Sequence, residues 1–196
     1  MHAQQDNTLL LRRVDDHYNH LKSLQTHYVE TYNGMGMSRS ESGSLLLQKP
    51  GKMLWRYDKP AGKVFVLDGK FAYFYTPGDP QAQKISAHQM DDLRTPLRFL
   101  LGHTQLQKEL DHIVVTPDGA DFIITGAPRG MTNRLKQLSL RVSATGVIEQ
   151  MKVEEIDGAT TEFVFTGMQE SVPTKASDFI FTPPAGVTVV NGTPPI

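Results

Sequence analysis

The fold is decided by two adjoining stretches, LLLQKPGKMLWRYDKP (residues 45–60) and VFVLDGKFAYFYTP (residues 64–77). Short runs of bulky apolar residues alternate there with Gly and Pro, which is typical of antiparallel strands joined by tight turns. Asp68-Gly69 is a strong signal for such a turn. The first stretch contains the only Trp of the chain, and no reactive constellation accompanies it. We therefore expect a sheet that offers apolar surface rather than chemistry.

Similar strand signals recur along the rest of the chain and predict about eleven strands. Apolar residues at helical spacing, from Leu10 to Leu21, predict an amphipathic helix over residues 6–24. Residues 33–44 are rich in Gly and Ser and are expected to form a mobile turn or a frayed hairpin. A helical insert is predicted over residues 90–110, where Thr95-Pro96 begins the short apolar run LRFLLG.

The predicted architecture is one mainly-β domain over residues 1–196, with residues 1–5 expected to be disordered. A sheet of about eleven strands must curl, split or close. A curled sheet has a concave apolar face, and we expect the two helical segments to pack over its open side. The sequence thus favours a covered apolar cavity over a fully packed core.

Composition excludes several classes of protein. The net charge is −1 with mixed signs, so nothing indicates a nucleic-acid partner. There is no Cys, which excludes disulfides, thiolate metal sites and Cys nucleophiles. No apolar run approaches the roughly 20 residues of a membrane-spanning helix. The start Met1-His2-Ala3-Gln4-Gln5 is like a mature N-terminus after signal-peptide removal, so we expect a secreted chain.

Catalytic and metal-binding patterns are also missing from the sequence. There is no Gly-x-Ser-x-Gly elbow, no His-Glu-x-x-His pair and no phosphate-binding loop. His17 and His20 are three residues apart on the predicted helix, but no carboxylate set completes a metal site there. We interpret both as surface residues, and predict neither enzyme activity nor a cofactor.

The aromatic strands have two possible interpretations. Met53, Trp55 and Tyr57 share one strand face by the period of two, and Phe71 and Tyr73 share a face in the same way. Composition alone favours ordinary core. The alternative is the lining of an apolar cavity, which the run Val64-Phe65-Val66-Leu67 and the LRFLLG helix favour.

Five motifs occur in an order that resembles a known family, and the resemblance covers nearly the whole chain. They are Lys49-Pro50 with Trp55 five residues later, the hairpin Leu67-Asp68-Gly69-Lys70, Thr95-Pro96, Asp157-Gly158, and FIFTPPAGV (residues 179–187). Together they resemble the periplasmic outer-membrane lipoprotein carriers, the LolA-like proteins.

The resemblance implies an unclosed antiparallel β-barrel of about eleven strands with a helical lid. It implies a periplasmic carrier that accepts acylated lipoproteins from an inner-membrane lipoprotein-releasing ABC transporter. The carrier shields the acyl chains in a hydrophobic cavity and passes the cargo to an outer-membrane receptor. A carrier of this kind is expected to act as a monomer, because a dimer that covered the mouth would block loading.

The candidate site residues follow from the strand pattern and the resemblance together. Many members of the family have Arg immediately before the Pro of the first motif, where it holds the lid; here the position is Lys49, our candidate lid latch. The candidates for cavity lining or lid contact are Leu45, Leu47, Met53, Trp55, Phe65, Leu67, Phe71, Tyr73, Leu97, Phe99 and Leu100.

Other functions on the same fold remain open at this stage. The outer-membrane lipoprotein receptor is similar, but is anchored by an N-terminal lipid. A carrier or sensor of another lipid, such as a glycolipid or a polyisoprenoid, would need an equally apolar cavity, since such a cavity is not selective by itself. A hydrolase is the least favoured, because no nucleophile–base pair can be named.

Overall fold

A computed structural model of the protein describes residues 2–90 and 103–192. The helices are α1 (His2–His20), α2 (Ala87–Met90) and α3 (Leu106–Glu109), with a 3₁₀ turn at Ala176–Phe179. The first six strands are β1 (Ser23–Gly34), β2 (Met37–Gln48), β3 (Lys52–Lys59), β4 (Val64–Asp68), β5 (Phe71–Tyr75) and β6 (Gln81–Ser86). The others are β7 (Leu110–Asp118), β8 (Asp121–Pro128), β9 (Leu135–Val142), β10 (Ile148–Glu155), β11 (Thr160–Glu170) and β12 (Thr188–Asn191).

The described strands form one open, mixed sheet with the order β12-β6-β5-β4-β3-β2-β1-β11-β10-β9-β8-β7. The mainly-β, unclosed sheet predicted from the sequence is confirmed. The predicted number of about eleven strands is close to the twelve observed, and the sheet is mixed rather than purely antiparallel, because β12 pairs with β6 in parallel. Strand β12 is only four residues long and comes shortly after two prolines, so its strand signal is weak.

Contacts divide the chain into two compact units. One comprises residues 1–20, 29–40 and 103–166, and the other comprises residues 21–28, 41–102 and 167–196. Strands β1, β2 and β11 contribute residues to both units.

Helix α1 is shifted from its predicted bounds of 6–24. Residues 2–5, expected to be disordered, form its first turn, and their sequence His-Ala-Gln-Gln contains no helix breaker. The helix ends at His20 because the next residues join the sheet. Ser23 accepts a backbone hydrogen bond from Ser171 and donates its hydroxyl to the Val172 carbonyl at 2.7 Å. These bonds are available only to extended chain.

The apolar face of α1 lies in the core of the first unit. Leu10, Val14 and Tyr18 are buried, as their helical spacing predicts. The Tyr18 hydroxyl accepts a hydrogen bond from the Ile148 backbone N–H at 2.9 Å. Gly146, in the turn between β9 and β10, is at φ 89°, and a Cβ there would come within 2.7 Å of the Arg13 backbone. Glycine thus allows this turn to approach the helix closely.

Residues 33–44 are not a frayed segment. They belong to the regular hairpin of β1 and β2, whose turn is Met35-Gly36. Ser38 and Ser40 lie on exposed strand surface, where the burial of apolar groups does not set the composition, whereas Ser42 and Ser44 are half-buried.

The second unit contains an antiparallel ladder from β2 to β6 whose register is defined residue by residue. Trp55 pairs with Leu45 on one side and with Phe65 on the other. Because paired residues share a face, alternate residues of these strands separate onto two faces. The face opposite Trp55 packs on the 3₁₀ turn, where Phe179 contacts Leu54 and Val66.

The helical insert predicted over residues 90–110 is only partly described. Residues 91–102, which include most of it, lie outside the described residues. Its described end differs from the prediction, since α3 stops at Glu109 and Leu110 already belongs to β7. The lid itself therefore remains a prediction.

Candidate functional site

A continuous apolar face extends across β2 to β6, and we call it the Trp55 face. It is built by the register, which places alternate residues of five neighbouring strands side by side. All but one of its members are at most 5% exposed. The members are Leu45, Leu47, Met53, Trp55, Phe65, Leu67, Ala72, Phe74 and Ile85, of which Phe74 is half-buried.

Six of the predicted site residues lie together on this face: Leu45, Leu47, Met53, Trp55, Phe65 and Leu67. Phe71 and Tyr73 lie on the opposite face, because Val66 pairs with Tyr73 and Leu67 pairs with Ala72. Tyr73 stacks on Phe181 with ring centroids 5.4 Å apart, and the Lys84 ammonium lies 3.9 Å from the centre of the Phe71 ring. Leu97, Phe99 and Leu100 lie outside the described residues.

Phe74 is a site residue that the sequence analysis missed. It pairs with Phe65, and their rings are 4.6 Å apart. Phe74 also lines an open pocket of about 300 Å³ at the end of the β5–β6 hairpin, together with Thr76, Asp79, Pro80, Gln81 and Gln83. This volume is at the lower end of the range for ligand pockets. The Trp55 face therefore opens to solvent beside Phe74.

Near the N-terminal end of β2, an ion pair lies next to aromatic rings. Glu41 is buried and accepts a hydrogen bond from the Lys63 ammonium at 2.5 Å. That ammonium lies 4.4 Å from the centre of the Tyr57 ring, and Tyr57 contacts the ring of Tyr28. The aromatic contact and the ion pair together hold a cation next to apolar surface.

Lys49, the candidate latch, lies in the turn between β2 and β3. Its backbone N–H donates to the Lys22 carbonyl at 2.8 Å, which fixes the turn to the chain before β1. The side chain is half-buried, and burial lowers the pKa of its ammonium. A partly desolvated ammonium favours a polar partner over an apolar one, as a latch requires.

Two residues in the C-terminal part of the predicted insert, Thr104 and Leu106, are fixed to helix α1. Asn19 forms two hydrogen bonds with the Thr104 backbone. Its side-chain oxygen accepts from the Thr104 N–H at 2.7 Å, and its side-chain NH₂ group donates to the Thr104 carbonyl at 2.9 Å. Asp15 accepts a hydrogen bond from the Leu106 N–H at 3.0 Å. Thr104 and Leu106 are both buried. The C-terminal end of the insert is thus anchored by two polar side chains of one helix.

Replacing Asp15 by Asn should make the protein more stable at neutral pH. Burial raises the pKa of Asp15 from 3.8 to about 6, against the opposing effect of the Leu106 hydrogen bond. Between these two values the folded state holds a proton that the unfolded state has lost, so this group contributes stability that falls as pH rises towards 6. Asn cannot ionise, and its oxygen still accepts from Leu106. We expect Tm to rise by roughly 2 °C at pH 7.5, with a smaller difference from wild type at pH 4.5.

Thermal unfolding of both proteins at the two pH values measures this effect. The matched control is Asp16→Asn, which removes the same charge from an exposed neighbour. An equal rise in Tm for both variants would show that net charge, rather than the burial of Asp15, is responsible.

Neither a metal-binding group nor a membrane-spanning helix is found within residues 2–90 and 103–192. No group of three His, Asp or Glu side chains there could hold a metal ion. No helix in the same residues has the length and hydropathy to span a membrane.

Comparison with known proteins decides the family. The sequence profile described as outer membrane lipoprotein carrier protein LolA matches residues 19–182. The chain belongs to this carrier family. An outer-membrane lipoprotein carrier protein from Proteus mirabilis is 31% identical over 173 residues, which are 87% of this chain and 83% of the relative. The carrier from Nitrosomonas europaea is 29% identical over 155 residues, 78% of this chain and 73% of the relative.

A solved structure shares the fold of this chain. An uncharacterised conserved protein from Thermus thermophilus superposes with a TM-score of 0.56 at 12% identity, over 98% of this chain and all of the other. This similarity concerns the fold alone. The resemblance found in the sequence motifs, to the lipoprotein carrier family, is therefore confirmed by the family match.

Proposed function

We propose that this chain is a periplasmic lipoprotein carrier that binds acyl chains on the Trp55 face and acts without a catalytic step. The single observation that carries the proposal is the continuity of this face. Five strands of a chain from the carrier family present large apolar side chains on one surface, which opens beside Phe74. The proposed cargo is an acylated lipoprotein.

The physical need for such a carrier follows from the cargo. Each methylene group exposed to water costs about 0.8 kcal/mol, so several acyl chains amount to tens of kcal/mol. The cargo cannot cross the aqueous periplasm without cover. Its proposed donor is an inner-membrane lipoprotein-releasing ABC transporter, and its proposed acceptor is an outer-membrane lipoprotein receptor. The carrier acts as a monomer in this scheme.

Release requires that the carrier does not bind as tightly as the buried area allows. A lid that packs on the empty face and must be displaced by cargo lowers the net affinity. The proposed lid contacts are Leu97, Phe99 and Leu100, and the proposed latch is Lys49. The anchoring of Thr104 and Leu106 on α1 supports this arrangement, since it fixes the chain at the end of the insert.

Mass spectrometry of the lipids that co-purify from the periplasm of the native host tests the proposed function. Triacylated lipopeptides in the bound fraction would support it. A different lipid, such as a glycolipid, would keep the apolar site and replace the function. A protein free of bound lipid, purified from a host that expresses its lipoproteins, would contradict the acyl-binding face.

Replacing Lys49 by Leu should impair cargo transfer more than folding. Leucine fills the half-buried space but cannot form a polar latch, so the lid would lose its closed state and cargo would be retained. We expect transfer from a loaded carrier to the outer-membrane receptor to slow by about tenfold, which corresponds to the loss of one charge-assisted hydrogen bond. The measurement is transfer of a labelled lipoprotein between purified proteins.

Two variants control this experiment. Lys22→Leu removes an exposed charge from the partner segment of the same turn, and should leave transfer unchanged. Lys49→Arg keeps the charge and adds a planar fork, so transfer should persist. If Lys49→Leu transferred cargo at the wild-type rate, Lys49 would not be the latch.

A further inference from the structure

The hairpin of β1 and β2 ends in exposed methionines. Met35 is 85% exposed, the highest value among the large hydrophobic residues of the described chain, and Met37 is 64% exposed. Only Gly36 separates them, and the next residues, Ser38, Arg39 and Ser40, are also exposed. The tip of this hairpin therefore presents two long apolar side chains to solvent. We call Met35, Gly36 and Met37 the methionine tip.

The backbone at this tip is unfavourable for methionine. Met35 is at φ 51° and Gly36 at φ 74°, so both central residues of the turn are left-handed. A two-residue turn of this kind favours Asn-Gly, because a short polar side chain tolerates the left-handed region. Burial does not compensate for the strain, since the Met35 side chain lies in solvent. Folding alone would place Asn at position 35, and a residue that opposes the local preference indicates a functional position.

A further exposed apolar side chain, that of Ile156, lies at the same end of the sheet. The turn between β10 and β11 adjoins the hairpin, because a Cβ on Gly34 would come within 2.7 Å of the Ala159 Cβ. Ile156 in this turn is 61% exposed. Beneath the tip, the Arg39 guanidinium lies 5.8 Å from the centre of the Tyr32 ring. Apolar side chains thus project beyond a layer that contains an aromatic ring and a cation.

We propose that the methionine tip inserts into the interface of a lipid bilayer. Tyrosine and arginine suit the headgroup level, with an apolar body and a polar end, and methionine is flexible enough to enter the acyl boundary. A protein partner fits these observations less well. A stable protein interface buries about 800 Å² per partner, whereas the methionine tip presents two apolar side chains, with Ile156 exposed in the adjoining turn.

The contact is weak and depends little on lipid charge. The hairpin next to the tip contains one cation, Arg39, and the adjoining turn contains one carboxylate, Asp157, so their formal charges are of opposite sign. Insertion of a few apolar side chains gives reversible binding, as a single short lipid anchor does. The proposal does not rest on acyl binding, since no residue of the Trp55 face takes part in it.

Partition onto large vesicles of phosphatidylethanolamine and phosphatidylglycerol tests the proposal by co-sedimentation. The double variant Met35→Asn with Met37→Ser should bind at least about tenfold more weakly than wild type, as expected from the loss of two partly buried apolar side chains. Its Tm should equal or exceed that of wild type, because Asn suits the left-handed position. The control Val114→Ser removes an exposed apolar residue of β7 and should leave partition unchanged.

Depth measurements identify the inserted residue. The chain has no Cys, so Met35→Cys and Val114→Cys each give one labelling site for an environment-sensitive dye. Lipid-attached nitroxides should quench the dye at position 35 and not at position 114. Equal partition of wild type and the double variant would overturn the proposal, as would equal quenching at both positions. Tip-dependent binding seen only with vesicles that contain membrane proteins would also overturn it, in favour of a protein partner.

Discussion

Replacing Phe74 by Glu should reduce the affinity for a triacylated lipopeptide by at least about tenfold. Phe74 lines the pocket at the open end of the Trp55 face and contacts the Phe65 ring. A carboxylate at this position would have to lose water when an acyl chain entered, which costs several kcal/mol if it stays ionised. Each 1.4 kcal/mol lowers the affinity tenfold. Calorimetric titration with a synthetic triacylated lipopeptide measures the change.

The control for Phe74→Glu lies three residues earlier on the same strand. Phe71 is on the opposite face and is 36% exposed, so Phe71→Glu adds the same charge outside the proposed site. Its affinity should remain within about twofold of wild type, because a surface substitution changes little. If the two variants lost affinity equally, the assignment of ligand to the Trp55 face would be wrong. If Phe74→Glu does not fold, the lipopeptide affinity of Phe74→Ser is compared with that of Phe71→Glu instead.

Replacing Gly43 by Ala should unfold the protein or lower its free energy of unfolding by at least about 3 kcal/mol. A Cβ on Gly43 would overlap the carbonyl oxygen of Arg56 on the neighbouring strand. The obstacle is backbone, which cannot rotate away as a side chain can. The ladder of β2 and β3 is irregular between Ser42 and Gly43, and the close approach of the two strands occurs at this irregularity.

Denaturant unfolding of the variant, compared with Ser44→Ala, measures the effect of Gly43. Ser44 is the next residue of β2 and is half-buried, so its loss should change the free energy of unfolding by about 0.5 kcal/mol or less. A Gly43→Ala protein that unfolds within 1 kcal/mol of wild type would show that the strands can separate at this point.

Much of the sheet could be predicted because its strands are short, bulky and separated by turn residues. The eleven predicted strands are all present, and Leu10, Val14 and Tyr18 identified the buried face of α1. The end of α1 could not be predicted. Leu21 continues its helical spacing, and the competing hydrogen bonds of Ser23 involve residues almost 150 positions away. Local periodicity contains no information about such partners.

The two faces of β5 show how a site can be misassigned when its strands are correct. Phe71 and Tyr73 were predicted to line the cavity together with Trp55, because each set shares a face of its own strand by the period of two. A two-residue turn between β4 and β5, however, pairs odd-numbered residues with even-numbered ones. The register confirms this pairing, since Leu67 opposes Ala72 and Phe65 opposes Phe74. The turn signal Asp68-Gly69 was therefore sufficient to place Phe74, rather than Phe71 or Tyr73, on the same face as Phe65, had its parity been applied.

The parallel strand β12 has a consequence for the behaviour of the protein in a crowded compartment. By pairing with residues 81–84 of β6, it occupies hydrogen-bonding groups that would otherwise be an exposed edge. An exposed edge beside a large apolar surface is a template on which a second chain can add its own strand. Because β12 is itself only four residues long, the edge that it leaves is short, and a short edge strand is a poor template for a second chain.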